Sequence, residues 1–452
     1  MSDLPPLDRR QFISKTAAAG LAAGLLRKLP SFARAASQPG SASPNSRLRV
    51  AVVGTNGRGL AHIQCLGGVD NAEIVYICDV DDRAIAKGLA ETAKWQRTVP
   101  QGIKDFRRSL EDPSIDAITI ATPDHWHTPM SILAMAAGKH VYVEKPCSQN
   151  PHEGELLLAA VKASGRLVQM GNQRRSFPAM KEAVKLIHDG AIGRAYFAKA
   201  WYANGRAALP PLTPAPVPSW LDYDLWQGPA PRRPYRTNLI HYNWHWFWHW
   251  GTGEALNNGT HEVDVCRWAL DVNYPLRVAS IGGRYQFKDQ WETPDTQTIG
   301  WDFPEGKSLS WEGRSCNPRP VEGRQRGAMI YGTEGSALLD GLEYTIYDRK
   351  DRIVREVKSA GQKDTTNILS STGAAADTLH FRNFADAVRQ GTPLNSSIEI
   401  ANPSVNLLHL GNIAWRVGRE LHCDTSNGHI LGDADAMKLW QRTYEPGWEP
   451  KV

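Results

Sequence analysis

Lys145 follows an apolar run, His140-Val-Tyr-Val143, within the tripeptide Glu144-Lys-Pro146. A lysine at the carboxyl end of a strand in an open α/β sheet faces the crevice where such sheets bind ligands. Alone, a lysine before a turn-forming proline would read as a surface residue, so the neighbouring motifs decide. A second apolar run, Leu48-Arg-Val-Ala-Val-Val53, leads into Gly54-Thr-Asn-Gly-Arg-Gly59 and then into an apolar-periodic helix. Strand, glycine turn and helix start are the three parts of a dinucleotide site, where backbone N–H groups approach a pyrophosphate at the positive helix end. A further strand, Glu73 to Cys78, ends in Asp79, 25 residues beyond Gly54 and near the usual distance for a ribose-binding acid. Asp81 and Asp82 add negative charge that repels a 2′-phosphate, so NAD is expected rather than NADP. Asn56 replaces the second glycine of G-x-G-x-x-G and Gly57 follows it; on this fingerprint alone, a tight turn of another α/β protein stays open.

These residues need a parallel sheet to hold them. Strands near 116–121, 140–143 and 167–170 alternate with helical patterns, as such a sheet requires. Apolar periodicity marks helices near 377–390 and 399–421, and the proline-rich stretch 209–218 reads either as a surface loop or as a border of the site.

Taken together, Gly54-x-x-Gly-Arg-Gly59, Ala121-Thr-Pro123, His127, Glu144-Lys-Pro146, Asp222-Tyr-Asp-Leu-Trp-Gln-Gly-Pro-Ala-Pro231 and Gly259-Thr-His-Glu-Val-Asp264 resemble the Gfo/Idh/MocA oxidoreductase family from about residue 48 onward. The resemblance implies a doubly wound Rossmann domain followed by an α+β domain with an open, mostly antiparallel sheet that holds a sugar site. The cofactor site is then expected at Gly54, Asn56, Gly57, Arg58, Gly59, Asp79, Thr122, Pro123, His127, Glu144 and Lys145; Trp126 and His127, at the mouth of a strand end, read as flanking the nicotinamide or as structural loop residues. It also implies that His261 exchanges a proton with the substrate hydroxyl while Lys145 hydrogen-bonds that oxygen. Oxidising a carbinol carbon requires its hydroxyl to lose a proton, and an unperturbed histidine has the near-neutral pKa of a suitable base. In the family pattern D-x-G-x-H-x-x-D the first acid is here Asn257, which can orient the His261 ring but cannot stabilise an imidazolium.

The second half supplies substrate candidates. In Asn243-Trp-His-Trp-Phe-Trp-His-Trp250 an extended backbone would put Trp244, Trp246, Trp248 and Trp250 on one face, suited to sugar rings or to a packed core, with His245 on the other. Read as a helix, His241, His245 and His249 would stack as a metal face, but no carboxylate has ligand spacing and no metal is expected. Gln173, Arg174 and Arg175 follow the sixth strand and read either as substrate contacts or as structural loop residues.

The chain has 452 residues, 41% of them hydrophobic, enough for two or three cored domains, and a net charge of +5 without a basic-aromatic stripe, which disfavours nucleic acid. Its six cysteines lack zinc spacing, and most of them are expected in the core. Residues 1–36, with Arg9-Arg10, an apolar run from Ala17 to Leu26 and Ala33-Arg-Ala35, resemble a twin-arginine export signal. A linker (37–46), a Rossmann domain (47–170) and a substrate domain (171–452) follow. The apolar run is too short for stable membrane insertion. The expected partners are the export machinery, a small carbohydrate and further copies of the chain in a homo-oligomer. Outside the cytoplasm no free nicotinamide pool exists, so NAD is expected to travel bound. Three function classes compete: an oxidoreductase on a sugar, polyol or glycoside hydroxyl; a redox-neutral NAD-dependent glycosidase working by oxidation, elimination, hydration and reduction; and a sugar-binding module without catalysis.

Overall fold

The computed structural model describes residues 47–359 and 373–452. The segment read as an export signal and linker lies outside them. Six parallel strands form the first sheet in the order β3-β2-β1-β4-β5-β6: β1 (Leu48–Val53), β2 (Ala72–Cys78), β3 (Gln101–Ile103), β4 (Ala117–Ile120), β5 (His140–Val143) and β6 (Val168–Met170). Their near-continuous apolar runs follow from helices covering both faces. Four of the covering helices are α1 (Arg58–Gly67), α2 (Asp82–Thr92), α3 (Asp124–Ala136) and α4 (Pro151–Ser164). Local chemistry sets the ends of α4: Asn150 accepts from the Glu153 N–H, Pro151 opens the first turn and Gly165 closes the helix at φ 64°.

After α5 (Pro178–His188) the chain builds a nine-stranded sheet, β14-β13-β12-β11-β7-β10-β9-β8-β15. Its strands are β7 (Ala195–Ala203), β8 (Arg277–Gly283), β9 (Thr296–Phe303), β10 (Lys307–Arg314), β11 (Arg326–Gly332), β12 (Gly335–Asp340), β13 (Glu343–Asp348), β14 (Ile353–Val357) and β15 (Leu421–His422). All neighbours are antiparallel except β7 with β10. The stretch between β7 and β8 includes the helices α6 (Gly253–Asn257) and α7 (Gly259–Leu270). One face of the sheet packs on α7 and on α9 (Ile398–Val417), with Trp301 and Trp311 fully buried. Arg175 lies here, donating to both oxygens of Asp264 at 2.7 and 2.9 Å, and Ser404 of α9 completes the buried contact. Arg175 thus joins elements and does not face the cavity.

The C-terminal chain also returns to the first domain. Helix α8 (Gly373–Gln390) packs on α1, and Phe381 stacks on Tyr142 of β5 with ring centroids 4.2 Å apart. This return brings Asp377 to Arg58. Among the described residues no helix is long and apolar enough to cross a membrane.

Candidate active site

Where β1, β4 and β5 end, the two domains enclose a cavity of about 1010 Å³. The strand order reverses between β1 and β4, which places the cavity at the topological switch point of the sheet. At its first end Gly54 has φ 85°, and a Cβ there would stand 2.6 Å from the Ala121 oxygen. A Cβ on Gly59 would meet the Gly54 oxygen at 1.9 Å, so this glycine serves close packing behind the turn. Gly57 is different: a Cβ would meet nothing within 4 Å. Helix α1 has no side-chain cap, which leaves its N-terminal N–H groups for an anion. Asn56 lines the same turn, its Oδ1 held by Lys87 at 2.7 Å.

Asp79 sits at the end of β2, accepting from the Thr55 N–H at 2.7 Å and the Asp81 N–H at 3.1 Å. Each oxygen keeps accepting capacity for a diol. Arg83 donates to Asp81 and lies 3.3 Å over the Trp220 ring, so its charge is already engaged. His241 also reaches Asp81, at 2.7 Å. Burial opposes ionisation there, but the hydrogen bonds from Arg83 and His241 bring the Asp81 pKa down to about 2. Thr122 lines the cavity beside Pro123, and its buried Oγ1 has no partner among the described residues. An open glycine turn, an uncapped helix, a buried acid and an orphaned hydroxyl fit NAD.

Glu144 is a support residue for this end. Arg58 Nε donates to it at 2.7 Å, His62 at 3.1 Å and Gln173 at 3.3 Å, while Arg58 also pairs with Asp377 at 2.8 Å. Burial works against the Glu144 carboxylate, but Arg58, His62 and Lys145 hold its pKa well below the usual range. His127 lies in α3, its ring nitrogens 2.5 Å from the Pro146 oxygen and 2.8 Å from the Thr122 oxygen. It clamps the loop before α3 to the one after β5.

Lys145 and His261 line the same cavity from opposite domains. Lys145 Nζ donates to the Asn257 carbonyl at 2.5 Å and lies 3.3 Å from its Oδ1. Burial lowers the Lys145 pKa, with Glu144 and Asp124 opposing the shift. His261 has no hydrogen bond to a described residue through its ring. Burial pushes its pKa well below the ordinary 6.5, and Arg326, Lys145 and Arg174 push it the same way. The ring is therefore neutral and able to accept a proton. The expectation that Asn257 orients this ring is corrected: its polar contacts run to Lys145 and, at 3.3 Å, to Glu254.

The tryptophan run is also corrected. Asn243–Trp246 forms a 3₁₀ turn and not a strand, and Gly251 packs against the His245 backbone. Trp246 stacks on Trp291 at 3.9 Å and Trp250 lies buried near Trp226, so these indoles form a core. From this run Trp244 and His245 reach the cavity, stacked at 3.6 Å; Trp246 is not on its wall. The three histidines diverge to Asp81, the Tyr242 oxygen and the Pro231 oxygen. Among the described residues no group of three or more His, Cys, Asp or Glu could hold a metal ion. Gln173 and Arg174 line the cavity, Arg174 paired with Glu262 at 3.0 Å.

Several wall residues carried no sequence signal of comparable strength. Asp124, bound by the Thr252 hydroxyl at 2.6 Å, and Arg206, paired with the buried Glu254 at 2.7 Å, are two. Asp124 was visible in the Ala121-Thr-Pro-Asp run; Arg206 and Arg326 stand in loops and strand ends without a motif.

The oxidoreductase family model with an NAD-binding Rossmann fold matches residues 48–172, and the model of that family's C-terminal α/β domain matches residues 194–356. The chain belongs to the Gfo/Idh/MocA oxidoreductase family. Among relatives, it is 25% identical over 360 residues to the scyllo-inositol 2-dehydrogenase (NAD⁺) of Bacillus subtilis, covering 78% of this chain and 90% of that one. It is 30% identical over 202 residues to the α-N-acetylgalactosaminidase of Tannerella forsythia, an alignment spanning 41% of this chain and 42% of that one. The structure of a levoglucosan dehydrogenase with NADH and levoglucosan superimposes with a TM-score of 0.63 at 20% identity, over 83% of this chain and 99% of that one. At that identity the likeness is one of fold. In this Gfo/Idh/MocA chain the first sheet is thus the NAD-binding domain.

Proposed function

We propose that this protein oxidises a hydroxyl of a sugar, polyol or glycoside with NAD. The observation that carries the reading is a single cavity joining the glycine turn and Asp79 to a half-buried lysine and a neutral histidine. NAD, when bound, supplies the two-electron acceptor. The protein's own part is positioning and proton handling. Asp79 binds the adenosine ribose diol, and Gly54, Asn56 and Gly57 leave room for the diphosphate at α1. His261 takes the hydroxyl proton, and Lys145 donates to the same oxygen as it gains charge. Asn257 holds the Lys145 ammonium in place through its carbonyl, Glu144 with Arg58 anchors the adjoining loop, and Trp244 and His245 offer a flat wall to the ring. Incubating NAD-loaded protein with a panel of sugars and polyols, and following reduced nicotinamide, tests this.

The redox-neutral glycosidase remains a second reading because of the relative named α-N-acetylgalactosaminidase. The same residues serve it: oxidation of a ring hydroxyl acidifies the neighbouring C–H, that proton is lost as the aglycone leaves, water adds across the resulting double bond, and return of the hydride gives the hydrolysed sugar and regenerates NAD. The reading includes export by the twin-arginine route, on the strength of Arg9-Arg10, the apolar run and Ala33-Arg-Ala35. The mature protein then works outside the cytoplasm with NAD bound, and N-terminal sequencing of protein from that fraction tests it. Exposed Ile281 and Tyr285 beside the open sheet favour a homo-oligomer, which light scattering would measure.

A further inference from the structure

Arg326 opens β11, stands opposite Tyr202 of β7 and lines the cavity wall. It is 6% exposed, yet only part of its guanidinium is satisfied. Nε donates to Glu262 Oε1 at 2.6 Å, while Nη1 and Nη2 have no partner among the described residues. The contact is single-pronged, since Glu262 Oε2 has no donor either. A guanidinium cannot discharge itself by losing a proton. Leaving its donors buried without acceptors is costly, and more so for a charged group than for a neutral one. The Tyr202 ring, 5.4 Å from the guanidinium carbon, attracts the cation but accepts none of its in-plane N–H groups.

The position is chemically pointed. Arg326 lines the same cavity as His261, the proton acceptor. The neighbouring cation Arg206 is already matched by Glu254 at 2.7 Å, whereas Asn204, Gln325 and Tyr202 offer no negative charge. Two adjacent nitrogens at the end of a guanidinium form a fork that matches the two oxygens of a carboxylate.

We propose that Arg326 receives a carboxylate of the substrate through Nη1 and Nη2, so that the preferred sugar is acidic, a uronic or aldonic acid. This deepens the oxidoreductase reading and rests on it.

Calorimetric binding to NAD-loaded protein separates the two readings, because it needs no turnover. Matched pairs are glucuronate with glucose, galacturonate with galactose and gluconate with glucitol, with glucose 6-phosphate and glucose 6-sulfate as the other oxyanions. Carboxylates are expected to bind about tenfold or more tightly than their neutral partners. Arg326→Gln should erase that preference, leave neutral sugars within about threefold of wild type and keep the NAD content unchanged. Arg326→Lys, which keeps the charge and loses the fork, should recover part of it, and carries the comparison if the glutamine variant does not fold. Equal binding of acids and neutral sugars by the wild type would overturn the assignment. So would a carboxylate preference that survives both substitutions, as it would if Arg326 served Glu262 alone, or tighter binding of the phosphate or sulfate ester than of every carboxylate. Acid-selective binding with no reduction of NAD by any member of the panel would instead count against the oxidoreductase reading and leave Arg326 assigned.

Discussion

Lys145 and His261 come from different domains, and each has a different burden. The lysine is held by the Asn257 carbonyl, and its truncation removes a donor to the reacting oxygen; the histidine is neutral, so truncation removes the proton acceptor. Lys145→Ala and His261→Ala should each keep bound NAD and lose turnover by about two to four orders of magnitude, measured as kcat on the best sugar of the panel. Unchanged turnover in either variant would remove that residue from the mechanism. The His261 pKa is lowered, so its base form persists below the ordinary 6.5. Activity should therefore be flat through neutrality on the His261 limb and fall only as pH drops well below 6.5, with that limb absent in His261→Ala. Asp79→Ala should weaken NAD binding by about 1.5 to 3 kcal/mol, the range for hydrogen bonds to a charged group, as read by titration of the nucleotide-free protein. Asp79, Lys145 and His261 were legible because strand ends and a family motif bracket them. The Lys145–Asn257 contact was not: it joins residues 112 apart, and the motif suggested the neighbouring histidine as partner.

Elements that make long-range parallel pairs read clearly, because burial on both faces leaves near-continuous apolar runs, as in β1 and β4. The tryptophan run misled because alternation says only that successive side chains differ in environment. Trp246 and Trp250 pack as a core around a 3₁₀ turn, and Gly251 lets the chain pass against His245, a close approach that no period reveals. The return of α8 to the first domain was equally hidden, although its apolar periodicity showed the helix itself. At this scale Gly59 offers the sharpest test. A Cβ there would stand 1.9 Å from the Gly54 oxygen, so Gly59→Ala must shift either the turn or α1. A loss of about 1 to 3 kcal/mol in unfolding free energy, with lowered NAD content, is expected from such overpacking. Wild-type stability and full NAD content would show that the turn yields without cost.

Across the whole molecule, buried neutral histidines tie stability to pH. Burial lowers the pKa of His380 to about 4 and of His409 to about 3, opposed only in part by their hydrogen bonds to the Met170 and Ser148 oxygens. The unfolded chain binds these protons more readily than the folded one, so stability is full above about 6.5 and falls as pH drops from there toward the folded values. The slope approaches about 1.4 kcal/mol per pH unit for each histidine. Glu144, held low by Arg58 and His62, adds loss in the same direction as pH falls through the carboxylate range. Chemical denaturation between neutrality and pH 4 should show this decline, softened in His409→Gln. Both sheets converge on one cavity, and its chemistry is read most directly by the fate of its NAD. With NAD-loaded protein, a substrate sugar or glycoside and no added acceptor, reduced nicotinamide should rise to one equivalent per bound NAD and stop, with release of a keto-sugar and renewed turnover only when a carbonyl acceptor is supplied. Repeated aglycone release with solvent deuterium entering the carbon beside the oxidised one, and no net reduced nicotinamide, would contradict the oxidoreductase account.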